Sequence, residues 1–227
     1  LVEGRQVTAL GRRALALPLA PRLARVVLEG ERLGIADTAC LAAALLAERD
    51  PRVSANAALG SGGTPLGCDG DVDLLIELYR SAEEERFHDG ALRRLGLHGA
   101  RVATVRQSYR QIRRELGGGR RGERDDAEGR DDIERQRRAL SLALLAGFPD
   151  RVARRRQPGG RDLILATGHV AQLDEQSVAK GANLVLAVDA EDRSHAPLTL
   201  QRGEKRAPRT GIRVRLAEPL EAEWLLD

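Results

Sequence analysis

The stretch from Leu140 to Arg156, which reads LSLALLAGFPDRVARRR, separates two parts of the sequence that have different periodicities. Before it, apolar residues recur at every third or fourth position, a pattern typical of amphipathic helices. Gly147 and Pro149 stop the last of these helices, and the runs that follow are short and rich in β-branched residues. The sequence therefore predicts an α+β chain whose helical part ends near residue 148, where the β-rich part begins.

Residue types at the helix ends locate the helices of the first part. Thr8 can cap the first helix, and Pro21 suits the first turn of the second, where no amide hydrogen is needed. Asp37 or Thr38 can cap a third helix, which Pro51 ends. Further helices are predicted over 71–87, 101–116 and 131–147. A loop over 54–70 and a flexible insertion over 117–130 are predicted from their lack of periodic apolar residues.

Short β-rich runs follow the boundary near residue 148. They lie at 162–167, 170–173, 183–189, 197–201 and 212–216. Gly, Asp and Ser separate them, as in strands that are joined by turns. Five short strands fit a small barrel such as an OB-fold, so we expect an OB-like β-barrel domain over 149–227.

The composition is that of an ordinary globular chain and sets few limits on function. The formal net charge of +3 is too small to establish a polyanionic partner. Nearly all the basic residues are arginine, a preference that coding bias in a GC-rich genome would also produce. Aromatic residues make up only 2% of the chain. Any nucleic acid would therefore be bound mainly through its phosphates, because base stacking needs aromatic platforms.

Cysteine spacing and hydropathy give an expectation for the cellular compartment of the protein. Cys40 and Cys68 stand alone, which argues against a metal site and against a disulfide framework. No apolar run approaches the roughly 20 residues that span a bilayer. No signal peptide is visible, and the start at Leu1 suggests a piece of a longer chain. We expect a cytoplasmic protein without a membrane partner.

The sequence contains no recognisable catalytic constellation. It has no GxxxxGK[ST] motif, and its closest glycine run, Gly60–Thr64, lacks the lysine that reaches nucleotide phosphates. The histidines show neither metal-ligand spacing nor a neighbouring nucleophile, which predicts solvated or capping roles for His88, His98, His169 and His195.

Two arginine clusters are the candidate binding residues. In the helix predicted over 101–116, one side is apolar and the other carries Arg101, Arg106, Arg110, Arg113 and Arg114. The second cluster comprises Arg151, Arg154, Arg155 and Arg156, with Arg161 following. The planar donor fork of arginine matches phosphate oxygens, so either cluster could follow a nucleic-acid backbone. A merely solvated surface is the alternative for both.

Several stretches carry a family resemblance. Thr8–Arg25 reads TALGRRALALPLAPRLAR, Leu140–Arg156 joins FPDR to ARRR, and Arg213–Leu225 reads RVRLAEPLEAEWL. Together with 36–51 and 160–173, they resemble segments of bacterial HrpB-type DEAH-box helicases, in the same order along the chain. The first resembles the seam between the winged-helix domain and the helical ratchet domain of that family. The FPDR–ARRR junction resembles the entry into its barrel.

This resemblance implies an ATP-dependent RNA helicase whose RecA-like motor domains lie outside the chain. Residues 1–21 would end a winged-helix domain, 22–148 would form the helicase-associated ratchet domain, and 149–227 the barrel. ATP and Mg would bind to the motor domains, so no catalytic residue is expected here. Ratchet and barrel would guide RNA or other single-stranded nucleic acid beside the motors. The implied contacts are Arg151, Arg154, Arg155 and Arg156, with Arg106, Arg110 and Arg113 as further candidates.

Two other function classes remain open at this stage. A stand-alone, non-enzymatic nucleic-acid adaptor would bind RNA by itself in a salt-sensitive manner. A structural or protein-interaction module would carry its arginines without any nucleic-acid role.

Overall fold

The computed structural model describes residues 2–3, 6–53, 68–117, 130–192 and 211–225. In this part of the chain it contains seven α-helices and a closed barrel of five strands, which confirms a mixed helix-and-strand fold. The chain divides into two compact units. The first comprises Leu1–Cys68 and Val72–Pro149, and the second comprises Asp69–Asp71 and Asp150–Asp227.

The first unit is helical. It begins with a two-stranded antiparallel pair of β1 (Val2–Glu3) and β2 (Gln6–Val7). The helices are α1 (Ala9–Ala16), α2 (Pro21–Arg32), α3 (Ala36–Ala47), α4 (Asp71–Glu84), α5 (Asp89–Arg94), α6 (Gly99–Glu115) and α7 (Arg130–Gly147). None of the described helices is long and apolar enough to cross a membrane.

Two of the predicted helix starts are confirmed. The Thr8 hydroxyl accepts the amide hydrogen of Gly11 at 3.0 Å and so caps α1. Pro21 lies in the first turn of α2. In both cases the signal is local, because the cap and the helix it begins are adjacent in sequence.

The predicted cap of the third helix is wrong. Helix α3 begins at Ala36 after Ile35, which makes no side-chain cap. The Asp37 carboxylate instead accepts a hydrogen bond from the Tyr109 hydroxyl at 2.6 Å and pairs with Arg113 at 3.1 Å. Asp37 is the second residue of the helix and so lies inside the position that a cap occupies.

Helix α3 lies at the centre of the first unit. Its residues from Thr38 to Leu45 are all buried, as expected of a helix that is apolar on every side. Helix α2 packs against both α3 and α7. At Gly30 the approach to α3 is so close that an added methyl group would overlap the Cβ of Ala39.

The helix predicted over 71–87 is shorter in the structure and is followed by a helix that was not predicted. Helix α4 ends at Glu84, and Arg86 and Phe87 adopt positive φ angles of 54° and 55°. This left-handed turn leads into α5, whose N-terminus is capped by His88. Two successive left-handed residues without glycine give no turn signal that could be seen in the sequence.

The second unit is the five-stranded barrel. Its strands are β3 (Val152–Arg155), β4 (Asp162–Leu165), β5 (Val170–Leu173), β6 (Leu184–Asp192) and β7 (Ile212–Leu220). The order around the barrel is β3-β4-β5-β7-β6, closed by the pairing of β3 with β6. All neighbours are antiparallel except β5 and β7, which run parallel. Small and branched residues fill the interior, among them Ala153, Leu163, Leu173, Val185 and Val214.

The barrel contains one strand that the sequence did not predict, and one predicted strand falls on residues that the structure does not describe. The arginine-rich run after Pro149 forms β3, although its apolar content did not suggest a strand. The strand predicted at 197–201 lies outside the described residues. So do the glycine run Gly60–Thr64 and most of the predicted loop and insertion at 54–70 and 117–130.

A buried carboxylate serves the barrel unit from a distant part of the sequence. Asp71 is fully buried, and its two oxygens accept hydrogen bonds from the Ser177 hydroxyl at 2.6 Å and from the amides of Val178 and Ala217 at 2.8 Å each. A carboxylate that receives several such donors is compensated for its burial. Asp71 is therefore a structural residue of the barrel.

Candidate nucleic-acid interface

Helix α6 presents the predicted apolar stripe. Val102, Val105, Tyr109 and Ile112 are buried, so the spacing of apolar residues identified the core-facing side correctly. The five arginines on the other side differ strongly in their surroundings.

Three of these arginines interact with their own unit. Arg101 donates to the carbonyl oxygens of Asp50 and Arg52, both at 3.0 Å. The guanidinium of Arg106 lies 4.2 Å from the centroid of the Phe87 ring, a cation–π contact. Arg113 pairs with Asp37. Among the predicted contacts on this helix, Arg106 and Arg113 are thus already partnered.

The remaining two arginines of α6 face solvent. Arg110 and Arg114 are exposed, and within the described residues neither forms an ion pair. They lie four residues apart, which places them on one side of the helix. Arg110 is the predicted contact that the helical unit leaves available for an anion.

The second arginine cluster lies on and beside strand β3, where buried and exposed side chains alternate. Along β3 and the residue after it, Ala153 and Arg155 are buried whereas Arg154 and Arg156 are exposed. Side chains of a strand alternate between its two faces, so neighbouring arginines point in opposite directions. Within the described residues Arg154 and Arg156 form no ion pair.

Arg151 precedes the strand, in a short 3₁₀ helix at Pro149–Arg151. It is half-buried, and its Nη1 donates to the carbonyl oxygen of Val188 at 2.9 Å. Part of its donor fork is therefore committed to the barrel.

Arg155 is the least accessible of the predicted contacts. It is 6% exposed, and its Nε and Nη2 donate to the carbonyl oxygens of Ala182 and Ala179 at 2.8 and 2.6 Å. Its Nη1 donates to the carbonyl oxygen of Gly160. Burial lowers the pKa of the Arg155 guanidinium from its ordinary value, but an arginine remains charged at neutral pH.

Arg161 joins the same region from the other end of the β3–β4 connection. Its Nε donates to the carbonyl oxygen of Leu173 at 2.9 Å, and its Nη1 pairs with Glu175 at 2.6 Å. The neighbouring Arg213 pairs with Asp174 at 2.5 Å. Arg154 and Arg156, which are exposed and form no ion pair with the described residues, are the candidates for binding an anion in this region.

The helical unit also holds a cleft that sequence reasoning missed. Its volume is about 470 Å³, and its charged lining is mainly acidic, comprising Asp37, Asp73, Glu77, Glu83 and Glu84 beside Arg80, Arg113 and Arg137. The spacing of carboxylates along α4 was the available signal, since residues three, four and seven apart share one side of a helix.

The chemistry of this cleft differs from that of a phosphate site. Arg137 pairs with Asp73 at 3.0 Å, and Arg80 donates to the Thr38 hydroxyl at 2.7 Å. Burial, and then the neighbouring Asp73, raise the pKa of Glu77 above its ordinary value. Because Arg113 pairs with Asp37 as well, all three of its arginines have internal partners, and the excess of carboxylates disfavours an anionic strand.

The two cysteines do not add a reactive site. Both are buried. Burial is the main factor that raises the pKa of the Cys68 thiol to about 12, so it remains protonated at neutral pH. Among the described residues no group of three or more His, Cys, Asp or Glu side chains could hold a metal ion.

Every aromatic ring of the chain is at least half-buried. Tyr79 contacts Phe87 and Tyr109 edge-on, with centroid distances of 5.3 and 6.2 Å. Phe148 is buried, and Trp224 is half-buried. No ring among them is available as an open platform for base stacking.

The comparisons with known proteins concern the fold. No family model matches the sequence, and no curated protein matches it. Among solved structures, the crystal structure of E. coli HrpB, a DExH-box NTPase, matches with a TM-score of 0.53 and 22% sequence identity. The match covers 99% of this chain but 20% of HrpB, so the chain spans about a fifth of that protein's length. The fold of this chain is similar to that of one segment of a DExH-box NTPase.

Proposed function

We propose that this chain is the accessory C-terminal region of an ATP-dependent RNA helicase and guides single-stranded nucleic acid beside RecA-like motor domains that lie outside it. The observation that carries this proposal is the fold match to a segment of a DExH-box NTPase over almost the whole chain. The order of the resembling sequence stretches supports it as well. ATP and Mg would be bound by the motor domains, and the partners would be those domains and RNA.

We also propose the domain assignment that the sequence resemblance implies. The β1–β2 pair and α1 would close a winged-helix domain at residues 1–21, the helices over 22–148 would form the ratchet domain, and 149–227 would form an OB-like barrel. The closed five-stranded arrangement of β3 to β7 supports the last of these assignments. OB-folds commonly bind oligonucleotides, which makes the barrel the preferred strand-binding unit.

Within the barrel, Arg154 and Arg156 are the proposed phosphate contacts. Both are exposed and lie two positions apart, Arg154 on β3 and Arg156 directly after it, about 7 Å from one another along the extended chain. Arg151 stands just before this strand, where its Nη1 donates to the carbonyl oxygen of Val188. On the helical unit, Arg110 is the corresponding candidate.

A salt titration of RNA binding tests the proposal. The double substitution R154A/R156A should weaken binding of a single-stranded oligonucleotide and lower the slope of log K against log salt by about 1.4, since each phosphate contact contributes about 0.7. The matched control is R32A/R135A, which removes the same charge from exposed arginines that pair with Glu29 and Asp132. Fluorescence anisotropy between 50 and 200 mM salt measures both quantities. An equal decrease of the slope in the control would contradict the assignment of these residues.

The helicase context has its own test. In the protein that carries the motor domains, R154A/R156A should reduce stimulation of ATP turnover by RNA and leave turnover without RNA unchanged. Unchanged stimulation would favour a structural module instead.

A further inference from the structure

The Arg155 side chain joins three segments of the barrel unit. Its donors reach the carbonyl oxygen of Gly160 in the β3–β4 connection and those of Ala179 and Ala182 in the β5–β6 connection. Its own amide donates to the carbonyl oxygen of Asn183 at 2.8 Å. The planar guanidinium can hold three such acceptors at once, which an ammonium or an amide on the same strand position cannot do with the same geometry.

This arrangement is unusual because the charge is buried without a counter-ion. Among the described residues no carboxylate pairs with Arg155, and carbonyl dipoles alone compensate for its desolvation. Burying an unpaired charge is unfavourable. An uncharged side chain would fill this position without that cost, so the guanidinium is explained by the two connections that it holds in place.

The β3–β4 connection is held at several points. The amide of Gly160 donates to the carbonyl oxygen of Gln157 at 2.9 Å, and the amide of Arg156 donates to that of Asp162 at 2.9 Å. Gly159 has a φ of +71°, which a residue with a side chain would rarely adopt. Arg161 ties the far end of the connection to Leu173 and Glu175. Arg155 adds the link between the turn at Gly160 and the β5–β6 connection.

We propose that Arg155 is a positioning residue: its three hydrogen bonds hold the β3–β4 connection against the β5–β6 connection, so that Arg154 and Arg156 on either side of it are presented to a nucleic-acid backbone. This inference rests on the proposed function of the barrel. In it Arg155 touches no phosphate, and its positive charge does not count toward the salt dependence of binding.

Arg155→Lys is the informative variant because it keeps the positive charge but cannot form the three hydrogen bonds with the same geometry. Below its unfolding temperature, it should bind a single-stranded oligouridylate several-fold more weakly, with the slope of log K against log salt unchanged. Amide hydrogen exchange should become faster at 156–161 and 179–183. Arg155→Met should show the same unchanged slope. A decrease of the slope by about 0.7 in Arg155→Met would instead identify Arg155 as a phosphate contact and overturn the inference.

A measurement on the unsubstituted protein removes the dependence on how well the variants fold. The Nε hydrogen of Arg155 should exchange slowly with solvent both with and without oligouridylate, because it donates to the Ala182 carbonyl. The Nε resonances of Arg154 and Arg156 should shift when the oligonucleotide binds. A shift of the Arg155 resonance as large as theirs would overturn the inference.

The outcomes separate the two proposals. Weaker binding by R154A/R156A together with full affinity in Arg155→Lys would overturn the positioning role alone. No binding by the unsubstituted protein at low salt would overturn the proposed function of the barrel and with it the positioning role.

Discussion

Single residues of the same type have different roles in this chain, as the two histidines at helix starts illustrate. The Nδ1 atom of His88 accepts the amide hydrogens of Gly90 and Ala91 at 2.9 and 3.2 Å and caps α5. His98 occupies the equivalent position before α6 but makes no side-chain cap. The prediction of solvated or capping roles is therefore confirmed for both, because His88 caps a helix and His98 is exposed.

Substitution of the two histidines should show this difference. His88→Ala should lower the free energy of unfolding by about 1 kcal/mol, the usual cost of losing a cap. His98→Ala serves as the control and should change it by less than about 0.5 kcal/mol, as expected at an exposed site whose side chain makes no cap hydrogen bond. Urea unfolding followed by circular dichroism measures both. Equal effects would show that the cap does not contribute to stability.

The two tyrosines predict a dependence of stability on alkaline pH. Burial raises the pKa of Tyr79 to about 12, and burial together with the hydrogen bond to Asp37 raises that of Tyr109 further. The unfolded state has ordinary tyrosine pKa values of about 10 and releases its protons first. The stabilising contribution is thus complete below about pH 10 and is lost as the pH rises through the folded values.

Tyrosinate absorbance provides the measurement. The native protein should show little ionisation of either tyrosine near pH 11, whereas urea-unfolded protein should titrate near pH 10. Tyr109→Phe should leave the late titration of Tyr79 in place. Native titration near pH 10 would mean that the rings are accessible to solvent.

At the scale of elements, the crossing of α2 and α3 depends on a single glycine. An added methyl group at Gly30 would overlap the Cβ of Ala39, so the two helices could not keep their separation. Overpacking of this kind typically costs 1–3 kcal/mol, which exceeds the roughly 1 kcal/mol that alanine gains over glycine in a helix.

Gly30→Ala should therefore lower the free energy of unfolding by about 1–2 kcal/mol, and Gly30→Ala combined with Ala39→Gly should recover much of the loss. Gly99→Ala is the matched control in α6, because its methyl group would meet Leu92 Cδ1 at an ordinary 3.5 Å. Thermal unfolding of the three variants measures the effect. A stability loss in Gly99→Ala as large as in Gly30→Ala would contradict the packing argument.

At the scale of the whole molecule, several arginine side chains are exposed to solvent whereas the aromatic rings are buried or half-buried. Base stacking contributes about 1–3 kcal/mol per base where an aromatic platform exists, and no open ring is available on this chain. Binding of nucleic acid would then depend on the backbone and hardly on the base.

Oligouridylate and oligoadenylate of equal length should accordingly bind with affinities that agree within about threefold at the same salt concentration. Competition in fluorescence anisotropy makes the comparison directly. A strong preference for one homopolymer would show that the bases are contacted and that another surface is used.

Much of the element structure was accessible from the sequence because its signals act over a few residues. The Thr8 cap, the Pro21 start and the stripe from Val102 to Ile112 each depend on neighbours within one or two turns of a helix. The strands β4 to β7 follow from short β-rich runs. The strand β3 was missed because three consecutive arginines mask its alternation.

The sequence by itself determined where helices give way to strands, since periodicity and helix-ending residues are local properties. Only the tertiary structure decided which arginines face solvent. Two of the three acceptors of the Arg155 side chain lie 24 and 27 residues beyond it, and Asp37 accepts from Tyr109, which is 72 residues away. An arginine reads the same in the sequence whether its guanidinium faces solvent or donates to a carbonyl oxygen. Its role therefore depends on which distant backbone groups the fold brings next to it.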